Sequence, residues 1–172
     1  MGTKAPTASG QPARSLLPTL DAGTLAGSAT CALPGLPEAV ASARDFTRAT
    51  LRRWNLDGRY EDVALVVSEL VTNALRHGLA AAVAPVDGRP VRLHLMRWSA
   101  RLVCAVRDPG RRPPRTVRRD GDAESVAESG RGLLLVESFA DGWGWQPVPA
   151  RTPGEPEVPG KVVWALFRLT SG

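Results

Sequence analysis

A carboxylate, a carboxamide and an imidazole recur at every fourth residue in the stretch SELVTNALRHG, Ser68 to Gly78. Glu69, Asn73 and His77 stand at i, i+4 and i+8, which on a helix stacks them along one face. Val63, Val66, Val67, Leu70 and Ala74 form the opposite face and suit a core. One helix therefore buries an apolar stripe and offers a file of polar groups to something else. The amide oxygen of Asn73 is a hard donor that suits Mg²⁺, an ion that takes few protein ligands and completes its shell with water and phosphate oxygens. One turn earlier, the Glu69 carboxylate can orient or deprotonate a hydroxyl or a water.

Two further pieces carry related chemistry. Asp108-Pro109-Gly110 ends an apolar run, RLVCAVRD. A carboxylate there can accept a hydrogen bond from an exocyclic amine such as that of adenine, and Gly110 lets a base approach the backbone closely. Gly130-Arg131-Gly132-Leu133 opens a helix after a long polar stretch. Free N–H groups and the dipole at such a helix start favour a phosphate. The chain has no GxxxxGK[ST] and no strand-GxGxxG-helix near its front, so neither a P-loop nor a Rossmann site is expected. Each piece alone is an ordinary turn or surface polar group. Taken together they read as one nucleotide site.

The elements that must position these residues follow from periodicity and punctuation. Residues 1–27, rich in Ala, Gly, Pro, Ser and Thr, are expected to be a disordered lead-in, and residues 28–172 one domain. A short strand over Ser28–Leu33 follows. Pro37-Glu38 opens a helix whose inward face is Val40, Ala43, Phe46, Thr47, Thr50 and Trp54, and which Asn55 to Gly58 breaks. The helix of the polar file runs from about Tyr60 to His77, with Gly78 as its cap. Asp87-Gly88 marks a turn. VRLHLMRW then alternates, with Val91, Leu93 and Leu95 on one side and Arg92, His94 and Met96 on the other. Ser99-Ala100 turns the chain into RLVCAVRD, its hairpin partner. After the polar segment, GRGLLLVESFA reads as a short helix, and DGWGWQPV and KVVWALFRL as two more strands joined by Pro149–Gly160. The expected class is α+β: a two-layer sandwich with three helices on one face of a mostly antiparallel mixed sheet.

Composition narrows the function classes. At 172 residues and 43% hydrophobic content the chain suits one domain with a sizeable core. No run is long enough to span a bilayer, and the N-terminus has no apolar core of a secretory signal, so a cytoplasmic protein without membrane contact is expected. The net charge of +5 is spread out. Its densest cluster, Arg111, Arg112, Arg115, Arg118 and Arg119, is followed by Asp120, Asp122, Glu124 and Glu128, which nearly cancel it. Direct nucleic-acid binding is therefore not expected. Cys31 and Cys104 have no metal spacing and read as small buried hydrophobes.

The three motifs occur in an order that resembles the GHKL (histidine kinase-like) ATPase superfamily, and most closely its bacterial anti-sigma-factor serine kinase branch. ELVTNALRHG resembles the N-box of that branch, RDPG its first glycine box, and GRGLLLVESFADGWGW with GKVVWALFRL its second glycine box and closing strand. The resemblance covers roughly Ser28 to Leu169. It implies the Bergerat ATP-binding fold, with ATP and Mg²⁺ as the bound groups. It implies Glu69 as catalytic base, Asn73 as Mg²⁺ ligand and Asp108 as adenine reader. Gly110 would lie beside the base, and Gly130, Gly132 and Leu133 beside the phosphates, with Arg131 either touching a phosphate or facing solvent. The polar segment Arg111–Ser129 becomes an ATP lid, spanning about 109–129 with its Pro-Gly lead-in. His77 is expected to be structural or peripheral.

For function the resemblance implies a regulatory protein serine/threonine kinase. Such a protein binds a sigma factor, phosphorylates an anti-anti-sigma antagonist, and commonly forms a homodimer. One departure stands out: a fuller first glycine box reads Asp-x-Gly-x-Gly, whereas this chain has Asp-Pro-Gly-Arg-Arg. That departure allows an alternative, ATP-dependent protein docking on the same fold without transfer. A sensor histidine kinase would need a phosphoacceptor histidine ahead of the ATP domain, and neither His77 nor His94 sits there.

Overall fold

In a computed structural model the described residues are 25–80, 88, 90–114, 131–149 and 159–169. Five strands and three main helices alternate in the order β1 (Leu25–Leu33), α1 (Ala39–Arg53), α2 (Tyr60–Asn73), β2 (Val91–Trp98), β3 (Arg101–Asp108), α3 (Arg131–Phe139), β4 (Gly142–Val148) and β5 (Gly160–Arg168). The strands form one sheet in the order β1-β2-β3-β5-β4. Every described pairing is antiparallel, so the mixed component expected from the sequence is not found among them. The helices lie on one face, which gives the expected two-layer α+β sandwich.

The core sits between the layers. From α2 it takes Val63, Val66, Val67, Leu70 and Val71, and from the sheet Leu33, Val91, Leu93, Leu95, Leu102, Cys104, Val106, Ala165 and Phe167, all buried. Burying each large aliphatic side chain contributes about 1.5–3 kcal/mol relative to exposure. The five residues assigned to the core face of α2 from the sequence are all in this cluster, including Ala74. On α1 the inward face is Ala39, Ala43, Thr47, Thr50 and Leu51, whereas Val40, Phe46 and Trp54 only pack against its edge. Trp98, Val103, Ala105 and Trp164 form a second, smaller apolar cluster.

One strand boundary differs from expectation for an identifiable reason, and the end of α1 falls where expected. β1 begins at Leu25, inside the stretch expected to be lead-in, because Leu25 pairs with Trp98 and Gly27 with Arg97. A side chain at position 27 would put its Cβ 2.8 Å from the Trp54 indole, so glycine lets α1 close over the strand. Helix α1 ends in a Schellman motif: Leu56 N–H donates to Leu51 O at 2.9 Å and Asn55 N–H to Arg52 O at 3.1 Å. Asn55 takes the left-handed conformation this requires, at φ 55°. Residues 1–24, the greater part of the expected lid (115–129), Gly130, the turn residue Asp87 and residues 150–158 lie outside the described residues. Among the described residues no helix is long and apolar enough to cross a membrane, and both cysteines are free thiols.

Candidate functional site

Helix α2 does not stop at Asn73. It continues into a widened π-helical turn over Ala74–Gly78, where Leu79 N–H donates to Ala74 O at 3.0 Å. Such a widening in a helix often marks a functional site. Here it presses Gly78 against the end of β3. A Cβ at Gly78 would collide with the Asp108 carboxylate, and one at Gly110 would lie 2.6 Å from Gly78 Cα. Two glycines thus let helix and strand meet around one buried carboxylate.

Asp108 is the last residue of β3 and only 3% exposed. Its Oδ1 accepts from Gly110 N–H at 2.7 Å and from Lys161 Nζ at 2.8 Å. Lys161, its cross-strand neighbour on β5, is 4% exposed and also donates to Gly110 O at 3.4 Å. Burial pushes the Asp108 carboxyl up from its ordinary range, against the pull of Lys161, the Gly110 N–H and His77.

At the other end, α3 begins against α2. A Cβ on Gly132 would lie 2.5 Å from Glu69 Oε2 and 3.8 Å from Asn73 Nδ2. Glycine there allows the first turn of α3, with its free N–H groups, to rest on the Glu69–Asn73 pair. Asn73 Nδ2 is buried and has no hydrogen-bond partner among the described residues. An orphaned buried amide is costly, and it marks a group awaiting a partner.

Between these ends lies a cavity of about 360 Å³. Asn73, His77, Asp108, Leu133 and Lys161 line it, with Arg112 at the expected lid's described edge. The structure therefore brings Asn73, Asp108 and Leu133 to one cavity. Glu69 sits beside Asn73 under Gly132 rather than on the cavity wall. Gly110 is buried and holds the Asp108 oxygen. Arg131 is exposed, and Gly130 lies outside the described residues. His77, expected at the periphery, is exposed but lines the cavity. Lys161 was not legible as a site residue: in KVVWALFRL it looks like an ordinary strand-end lysine.

The donor set suits a magnesium nucleotide. A carboxamide whose buried Nδ2 has no partner among the described residues stands beside a helix start, a buried carboxylate lines the same cavity, and glycines leave room beside both. Among the described residues no cluster of three or more His, Cys, Asp or Glu could hold a metal by itself.

Comparison with known proteins decides the family. The model of the histidine kinase-like ATPase domain matches residues 33–152. The chain belongs to that family. No significant match to a curated protein was found. Among solved structures, one similar to this chain contains the RsbU and RsbW domains of Rv1364c from Mycobacterium tuberculosis, with a TM-score of 0.58 and 16% sequence identity. The match covers 85% of this chain and 33% of that one, so this chain spans about a third of its length. At that identity the likeness concerns the fold. The shared fold is that of the histidine kinase-like ATPases, and the cavity lies between its helix layer and the strand-end residues described above.

Proposed function

We propose that this protein is an ATP-binding regulator of the anti-sigma-factor kinase type, transferring a phosphoryl group from Mg-ATP to a serine or threonine hydroxyl of a protein antagonist. A sigma factor would be its other partner. One observation carries the reading: the Glu69 carboxylate and the Asn73 amide meet under Gly132 at the start of α3, and Asn73 shares a cavity with the buried carboxylate of Asp108. Bound Mg-ATP supplies an electrophilic γ-phosphorus and a cation that offsets its charge.

The chain's own residues then divide the work. Asp108 accepts a hydrogen bond from the exocyclic amine of the base and fixes the base end of the nucleotide. Asn73 turns its amide oxygen to the magnesium. Its orphaned Nδ2 gains a partner when the site fills. The N–H groups of the first turn of α3, at Gly132 and Leu133, point at phosphate oxygens. Glu69 would take the proton from the incoming hydroxyl at a carboxylate oxygen as the new oxygen–phosphorus bond forms and the bond from the γ-phosphorus to the bridging β-phosphate oxygen breaks, with ADP as the leaving group. Leu133 and Val163 give the cavity apolar walls that limit water.

The alternative, docking of a protein partner under ATP control without transfer, is favoured by Arg112, which stands where the fuller glycine box has its second glycine and lines the cavity. Glu69→Ala separates the two readings. Under the proposal this variant keeps its ATP affinity and loses transfer to a serine-bearing antagonist by about 10²-fold or more. Normal transfer by Glu69→Ala would refute the role of Glu69. Absence of transfer by the unmodified protein would leave docking as the function.

A further inference from the structure

Lys161 is among the most deeply buried charged residues described, and the nucleotide roles above give it nothing to do. It lines the cavity, and its Nζ is 2.8 Å from Asp108 Oδ1. A lysine ammonium carries three N–H groups. One is directed at Asp108 Oδ1 and a second, at longer range, at Gly110 O. Among the described residues a third donor remains without a partner, on a side chain that lines the cavity. The carboxylate has a matching surplus. The bonds from Gly110 N–H and Lys161 both fall on Oδ1, and neither falls on Oδ2. The floor of the cavity therefore presents an acceptor and a donor side by side, held in register by the β3–β5 pairing of Asp108 with Lys161.

We propose that Lys161 is a specificity-determining residue that donates to ring nitrogen N1 of adenine while Asp108 accepts from the neighbouring exocyclic amine. This rests on the nucleotide reading given above and extends it to a residue outside the three motifs. An acceptor beside a donor complements a base edge that offers an amine at position 6 beside a bare ring nitrogen at position 1, which adenine has and guanine and hypoxanthine lack. Guanine places a carbonyl oxygen where adenine has its amine and an N–H where adenine has N1, so both bonds are reversed. The edge is N1 rather than N7 for a geometric reason. The sugar and phosphates leave from the five-membered ring, and in this cavity they must run toward Asn73 and Gly132. The six-membered ring is then the part that reaches the buried Asp108–Lys161 floor. A neutralised Asp108 also lets a base be read at a depth where a lone carboxylate would be costly to bury.

The test uses the intact protein with Mg²⁺ and measures affinity by calorimetry for ATP, 1-deaza-ATP, 7-deaza-ATP and GTP. Loss of one hydrogen bond to a charged donor is expected to weaken 1-deaza-ATP by about 10-fold or more relative to ATP. For 7-deaza-ATP the expected affinity is within about threefold of that for ATP, and for GTP it is weaker by about 10²-fold or more. Lys161→Met should bind ATP more weakly than the unmodified protein and no longer distinguish it from 1-deaza-ATP. Equal binding of ATP and 1-deaza-ATP by the unmodified protein would overturn the proposal while leaving the nucleotide site intact. So would GTP binding as well as ATP, or Lys161→Met binding ATP more tightly, which would make the lysine a plug rather than a reader. Should Lys161→Met fail to fold, the analogue series on the unmodified protein decides alone. No binding of any of the four nucleotides would refute the nucleotide reading itself, and the role of Lys161 with it.

Discussion

Gly132→Ala adds one methyl group at the point where α3 rests on α2. The new Cβ would stand 2.5 Å from Glu69 Oε2, against an ordinary non-bonded separation of about 3.5 Å. The carboxylate must therefore retreat by about 1 Å, or α3 must lift by a similar distance. Overpacking of this kind costs about 1–3 kcal/mol, and replacing glycine in a helix returns about 0.5–1 kcal/mol. The net loss of stability is then at most about 2.5 kcal/mol, which lowers Tm by less than about 10 °C and leaves the protein folded. Catalysis should suffer far more. A displacement of about 1 Å at a reacting group can cost about 10²-fold in rate. The 3.8 Å approach to Asn73 Nδ2 is ordinary contact, so nucleotide affinity should fall much less than transfer. The assay pairs thermal denaturation with single-turnover transfer of labelled γ-phosphate and with ATP affinity. A variant that transfers phosphate at the unmodified rate, with Tm unchanged, would refute the claim that α3 rests on Glu69.

Other expectations test separate parts of the account. Asn55 holds a left-handed conformation at φ 55°, so Asn55→Gly should keep or raise stability and Asn55→Ala should lower it by about 1 kcal/mol in denaturant unfolding. Burial pushes the Cys104 thiol up to about 12, so under native conditions an alkylating reagent should modify the half-buried Cys31 and spare Cys104 until the protein unfolds, as read by mass spectrometry. Burial also raises the Asp108 carboxyl above its ordinary 3.8, so acidification protonates it earlier than an exposed aspartate. The acceptor for the base amine is then lost, and ATP affinity should fall as pH drops through that raised value. Asp108→Asn should bind more weakly at neutral pH and lack this acid limb in calorimetry across pH.

Much of this architecture was legible in the sequence because its signals are local. The apolar stripe from Val63 to Ala74 has one period and one burial face, and it lies as read. The alternation in VRLHLMRW fixed which side of β2 faces the helices. Glu69 and Asn73 stood out by their i, i+4 spacing on that helix and Asp108 by its place before Pro-Gly at a strand end, and the structure brings Asn73 and Asp108 to one cavity. What was not legible depends on contacts between distant segments. Nothing near Lys161 says that it faces Asp108, because that follows from the β3–β5 register across 53 residues. The start of β1 at Leu25 depends on pairing with Trp98 and on the indole of Trp54 passing over Gly27, neither of which leaves a local mark. The widened turn at Ala74–Gly78 likewise answers a tertiary demand, the packing of Gly78 on Asp108, within a run whose periodicity is plainly α-helical.

Asn73 is proposed to join a magnesium nucleotide to this cavity. The most direct test is calorimetric titration of ATP into the protein and into Asn73→Ala, each with Mg²⁺ and with a chelator. The account expects the unmodified protein to bind ATP with an affinity that depends on Mg²⁺, and Asn73→Ala to lose that dependence while unfolding at a similar temperature. Equal, metal-dependent affinity in both proteins would contradict it.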